Sequence, residues 1–207
     1  LAINITIAKL KPLKQESINK AIKLLKTLTL ESTSIFDLPQ WKSFNKYADK
    51  KRFSIIMNFI QAFEKLDSEV YHFIKYVVIS NLDKMLDYKK DGNGIKFRQS
   101  KIDDITLCLK ELLIKALKSK KQFDLQHNKT LSIYNQSSVF GNFDFKVDCV
   151  LTSPPYANLF DYFEVYKMEL WSSGLIKRYT EWRTLKKSAL RNNKNTNLDV
   201  NDFINNQ

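Results

Sequence analysis

The residues best suited to chemistry in this chain crowd into one stretch, Thr152-Ser153-Pro154-Pro155-Tyr156, with Asn158 and Asp161-Tyr162 close behind. Pro154 and Pro155 fix their own φ, carry no backbone N–H and push Ser153 out of the helical region. The segment is therefore expected to be a stiff, extended loop that presents acceptors and cannot fold back into a sheet. Such a loop suits an exocyclic amino group of adenine or cytosine, a poor nucleophile because its lone pair is delocalised into the ring. The Ser153 hydroxyl and the Pro154 carbonyl are two rigid acceptors that would hold both N–H bonds and favour a more tetrahedral nitrogen, an effect of preorganised electrostatics. Tyr156 would supply a flat face for a base swung out of its stack. Direct attack by that nitrogen needs no covalent enzyme intermediate.

Thr152 to Tyr156 resembles the catalytic motif of the DNA amino-methyltransferases, which move a methyl group from S-adenosylmethionine to cytosine N4 or adenine N6. The surroundings extend the likeness: the apolar Cys149-Val150-Leu151 behind Asp148, then Asn158, Asp161-Tyr162, and an apolar helix leading to Leu170-Trp171 and Gly174. The likeness covers most of the chain, but only Thr152 to Tyr156 is specific. It implies that Ser153, Pro154, Pro155 and Tyr156 are catalytic, that Asn158 and Asp161 shape the base pocket, and that Thr152 and Ser153 bind the S-adenosylmethionine cofactor. Serine at the first motif position is more usual in the cytosine-N4 branch and aspartate in the adenine-N6 branch. Cytosine N4 is therefore expected ahead of adenine N6.

A loop of this kind needs a strand to carry it and helices to hold it. Cys149, Val150 and Leu151 read as a buried strand of parallel type. Thr130 to Tyr134 alternates weakly as another strand, with a turn at Gly141-Asn142 between them, so the second half reads as the edge of an α/β core. Tyr162 to Trp171 reads as a helix ended by Gly174. Thr180 to Leu190 reads as a last helix, whose Arg183, Lys186, Lys187 and Arg191 form a basic side that tracks phosphates or is simply solvated.

Ahead of the loop the periodicity is helical. Ser17 to Leu30 places Ile18, Ile22, Leu25 and Leu28 on one face. Lys51 to Leu66 groups Ile56, Phe59, Ile60 and Phe63. Glu69 to Leu86 reads as one helix capped by Asp67 or Ser68. Asp103 to Lys118 carries Ile105, Leu109, Leu112, Leu113 and Ala116, with Lys118, Lys120 and Lys121 at its C-terminus, where cations suit the helix dipole. Leu1 to Lys11 fits strand or helix by pattern, and the resemblance points to helix. Asp91-Gly92-Asn93-Gly94 is a turn. With Lys89, Lys90, Phe97 and Lys101 around it, the turn reads either as a surface link between two helices or as a DNA-contacting loop. The resemblance, in which a similar Gly-Asn-Gly turn lies in a helical target-recognition insert, implies DNA contact by Asn93, Lys96 and Arg98.

The 207 residues are 43% hydrophobic, enough for a real core. A net charge of +12 favours a polyanionic partner such as DNA. No apolar run approaches the roughly 18 to 20 residues of a membrane span, and no secretory signal is evident, so the expectation is a cytoplasmic protein with no membrane partner. Cys108 and Cys149 read as buried thiols in a reducing compartment. Neither follows a proline, which argues against the covalent route of carbon-5 cytosine methylation. His72 and His127 are isolated, and no metal site is expected.

Glycine supplies the main contrary signal. Gly92, Gly94, Gly141 and Gly174 are all there are, and none follows a strand as a cofactor-binding turn requires. A fragment or subunit is therefore expected, with the cofactor-binding half or a restriction subunit as partner; a first residue other than methionine fits this. The expected fold class is α/β, part of a Rossmann-like methyltransferase core with a large helical insert. Residues 1–16 would form the edge of the core, 17–128 the insert and possible target-recognition region, 129–191 the catalytic part and 192–207 a polar tail. A non-catalytic helical nucleic-acid-binding module that retains the loop is the competing expectation.

Overall fold

Leu1 and the residues after it form a helix, α1 (Ala2–Leu10), as the resemblance implied where the pattern alone left strand open. In α2 (Gln15–Thr27) Ile18, Ala21 and Leu25 recur at helical spacing and are wholly buried. In α3 (Lys50–Gln61) the buried stripe is Phe53, Ile56, Phe59 and Ile60, and the Asp49 side chain caps the helix by accepting from the Arg52 N–H at 2.9 Å. The structure is a computed structural model that describes residues 1–30, 34–92, 94–126, 132, 134, 146, 148, 149 and 161–188.

The single helix expected over Glu69 to Leu86 is two, α4 (Ser68–Ile79) and α5 (Leu82–Met85). The break has a local cause. Ser80 Oγ donates to the Tyr76 carbonyl and Asn81 Nδ2 to the Val77 carbonyl, side chains competing with backbone for the last helical acceptors. Asp67 stands at the N-cap of α4 without capping it, because its carboxylate instead takes the hydroxyl of Ser17 on α2.

The turn at Gly92 is a hairpin tip rather than a link between helices. β1 (Tyr88–Asp91) and β2 (Gly94–Phe97) pair antiparallel with Tyr88 opposite Phe97, Lys89 opposite Lys96 and Asp91 opposite Gly94. Gly92 has φ +52°, a conformation that side chains with a Cβ avoid. The hairpin is stapled to α5: Arg98 donates to the Asp83 carbonyl at 2.9 Å and the Ser100 hydroxyl to the Lys84 carbonyl at 2.9 Å.

α6 (Ile105–Gln126) extends past the expected end at Lys118. The lysines read as its terminal cations include Lys120, which is buried and donates to the Lys9 carbonyl at 2.9 Å. That cation therefore serves the C-terminal end of α1, where helix carbonyls lack partners. The helix expected over Tyr162 to Trp171 is divided at Tyr166 (φ −104°, ψ 16°) into α7 (Tyr162–Val165) and α8 (Lys167–Ser172). Gly174, at φ +76°, closes α8 as expected, its N–H donating to the Trp171 carbonyl. α9 (Tyr179–Ser188) follows.

α4 packs against α1, α2, α3 and α6, and the stripes merge into one core that also takes in Phe44, Phe63, Met85 and Tyr88 and reaches Met168, Trp171 and Trp182. β1 lies against α5, and β2 against α7. The described chain is thus mainly helical with one two-stranded antiparallel sheet. Among the described residues no helix is long and apolar enough to cross a membrane. Cys149, expected inside a buried strand, is exposed and outside any strand; Cys108 is half-buried. Ser132 and Tyr134, expected in a strand, are exposed and outside any strand. The expected turn at Gly141-Asn142 and the polar tail lie outside the described residues.

Candidate functional site

Asp161 is the one residue of the Thr152 to Asp161 stretch that lies within the described fold. Its Oδ1 accepts from the backbone N–H groups of Phe163 at 3.0 Å and Glu164 at 3.1 Å, capping α7. Its Oδ2 lies 2.8 Å from Lys186 Nζ of α9, and the same ammonium is 3.0 Å from Glu164 Oε1. Burial pulls the Lys186 pKa down, but the Asp161 and Glu164 carboxylates outweigh it and raise the value above that of an ordinary lysine. This cation ties α9 to α7.

Between α1 and the α7–α8 pair lies a cleft of about 710 Å³, lined by Ala2, Ile5 and Thr6 on one side and Tyr162, Tyr166 and Glu169 on the other. Small-molecule sites run from about 300 to 1,000 Å³, so the space is adequate for a planar ring. Lys9, Ser80 and Lys90 add to its polar lining. Glu169 is 1% exposed. Its Oε1 accepts from Lys90 Nζ at 2.6 Å and from the Tyr88 hydroxyl at 3.3 Å. Its Oε2 is buried and accepts no hydrogen bond among the described residues. Desolvation raises the Glu169 pKa although Lys90 opposes the shift, and burial together with the Glu169 charge holds the Tyr88 hydroxyl well above its usual range. Lys90 also stands over the Tyr166 ring, 4.6 Å from its centroid.

The residues singled out from sequence fall into three groups. Asp161 and Lys186 come together, although the sequence pattern assigns one to a base pocket and the other to a basic surface. Lys96 and Arg98 sit on the hairpin beside α7, exposed, Lys96 paired with Asp91 and Arg98 bonded to the Asp83 carbonyl; Lys187 is exposed on α9. Thr152, Ser153, Pro154, Pro155, Tyr156, Asn158, Asn93 and Arg191 lie outside the described residues. Sequence reasoning missed the Tyr88–Lys90–Glu169 cluster. The available signal was Glu169 itself, an acidic residue one helical turn after Val165 and so on the same, buried side as that apolar residue. Comparison with protein-family models, curated proteins and solved structures finds no match to this chain.

Proposed function

We propose that this chain is the catalytic-loop part of an S-adenosylmethionine-dependent DNA methyltransferase that acts on an exocyclic amine of a flipped base, cytosine N4 ahead of adenine N6. The observation that carries the reading is the Thr152-Ser153-Pro154-Pro155-Tyr156 run, followed within a few residues by the Asp161-capped helix α7. Two features of the fold support it. α7 and α8 line an aromatic-walled cleft, and α7 rests against a hairpin carrying exposed Lys89, Lys96 and Arg98 beside Phe97, which is 56% exposed. A base-sized space next to a cationic, aromatic edge is what an enzyme that extrudes bases requires.

In this reading the Ser153 hydroxyl and Pro154 carbonyl polarise the amine, Pro155 stiffens the loop, Tyr156 stacks on the base, and Asn158 shapes its pocket. Asp161 acts on that pocket by fixing where the loop ends. The cofactor supplies the electrophilic methyl group. The glycine shortage assigns the cofactor's glycine-rich turn to a half outside these residues, with Thr152 and Ser153 at the border. A Rossmann-like core that takes in residues 1–16 and 129–191, with a helical insert over 17–128, belongs to the same reading.

The test uses this chain joined with a cofactor-binding half, duplex DNA and tritiated S-adenosylmethionine, with modified nucleosides identified by mass spectrometry. Ser153→Ala and Tyr156→Ala are each expected to lower methyl transfer by about a hundredfold or more. Transfer at the unmutated rate would remove the assignment. The competing reading, a helical nucleic-acid-binding module, draws on the exposed cations of the hairpin, which could hold DNA without any transfer. DNA retention with no methyl label in any pairing would favour it.

A further inference from the structure

Residues 34–39 run back along α3 without joining a sheet. Ser34 exchanges two hydrogen bonds with Asn58 of that helix, its N–H donating to Oδ1 at 3.1 Å and its carbonyl accepting from Nδ2 at 2.7 Å. The Phe36 N–H donates to Ser54 Oγ at 3.0 Å. Phe36 and Leu38 pack on the core, whereas Ile35 is 77% exposed and Asp37 is exposed. That alternation is the period of extended chain, and Pro39 biases Leu38 the same way. Successive residues of an extended chain turn their N–H and C=O to opposite edges, so Ile35 and Asp37 turn theirs away from the edge pinned to α3. Neither makes a backbone hydrogen bond among the described residues. The segment is a strand edge with no strand beside it.

A groove of about 680 Å³ adjoins it, lined by Phe36, Leu38 and Pro39 of this segment, Met57 of α3, and Trp171 and Ile176 from the other side. Two carboxylates also line it, each with a cation of its own: Asp37 lies 3.0 Å from Lys50, and Glu181 lies 3.1 Å from Arg178. Lys177, exposed at the same groove, has no ion pair among the described residues. A phosphate backbone would meet both carboxylates, while a single carboxylate suffices for Lys177. An unpaired edge, an apolar groove and one spare cation match the recognition of extended peptides by strand addition.

We infer that this groove takes an extended segment of a partner protein, apolar at alternate positions and carrying one carboxylate for Lys177, which pairs with the backbone of Ile35 and Asp37. The inference stands apart from the methyltransferase reading and needs neither cofactor nor DNA.

The test selects short random peptides displayed on phage against the immobilised chain, then measures a selected peptide by fluorescence anisotropy. Peptides with alternating apolar residues and an Asp or Glu are expected. Ile35→Pro removes an N–H that has no partner in the free chain, so circular dichroism is expected to be unchanged while the peptide binds at least about tenfold more weakly. Lys177→Glu is expected to weaken binding about fivefold, and a peptide with Lys in place of its acid to recover it. Should Ile35→Pro not fold, N-methylation of the peptide on alternate amides decides: one register is expected to abolish binding and the other to leave it.

The inference is overturned if no peptide is enriched, if folded Ile35→Pro binds as the native chain does, if Lys177→Glu changes nothing, or if both N-methylated registers bind alike. Dimerisation of the chain alone that Ile35→Pro abolishes would give the groove to a second copy and likewise overturn it. Any of these alongside methyl transfer to DNA would leave the proposed function standing and remove this inference alone.

Discussion

Glu169 shows how one side chain couples packing to chemistry. Taking a carboxylate out of water costs several kcal/mol, and the Lys90 ammonium and the Tyr88 hydroxyl offset only part of it. Burial outweighs the ion pair, so the folded chain holds this proton above the ordinary 4.5 of a glutamic acid. The sign of the pH effect follows. An acid whose folded pKa is raised contributes its full share of stability below the unfolded value, and that share is lost as pH rises through the window between the two values. Urea unfolding of the native chain and of Glu169→Gln from about pH 4 to about pH 7 is therefore expected to show the native chain's relative stability falling as pH rises. A relative gain over that range would mean that Lys90 dominates over desolvation.

At the scale of elements, the junction of α7 with α9 is held by Asp161. The residue caps α7 through two backbone N–H groups and takes the Lys186 ammonium on its other oxygen. Asp161→Ala is expected to lower stability by about 1–2 kcal/mol, the usual cost of losing an N-cap plus the loosening of a partly buried lysine. Asp161→Asn keeps an acceptor for the helix and should recover the capping share while the link to Lys186 weakens. Chemical denaturation of the three proteins checks both statements, and an alanine variant as stable as the native chain would show that α7 needs no cap. Lys186 is thereby tied inward, which leaves Lys187 and Arg183 as the outward cations of α9.

For the whole molecule the question is where the net charge of +12 is displayed. The hairpin turns Lys89 and Lys96 outward as cross-strand neighbours, with Arg98 following, and sets them against α7. If these lysines neutralise phosphates, Lys89→Ala with Lys96→Ala should reduce the slope of log affinity against log salt for duplex DNA by about 2, close to one for each phosphate no longer neutralised. Fluorescence anisotropy across a salt series measures this. An unchanged slope would place the DNA path elsewhere on the molecule.

What the sequence determined by itself was local. The apolar stripes of α2, α3 and α6, the turn at Gly92, the close of α8 at Gly174 and the constraint on backbone at Pro154-Pro155 all follow from periodicity or from φ preferences a few residues in extent. The tertiary structure decided which distant side chains share a space. Tyr88 and Glu169 are 81 residues apart and Lys120 and Lys9 are 111 apart, so no pattern within a helix or hairpin connects them. Those contacts exist because the helices must bury their stripes against one another, and the polar groups carried inward with the stripes must find partners wherever the packing leaves them.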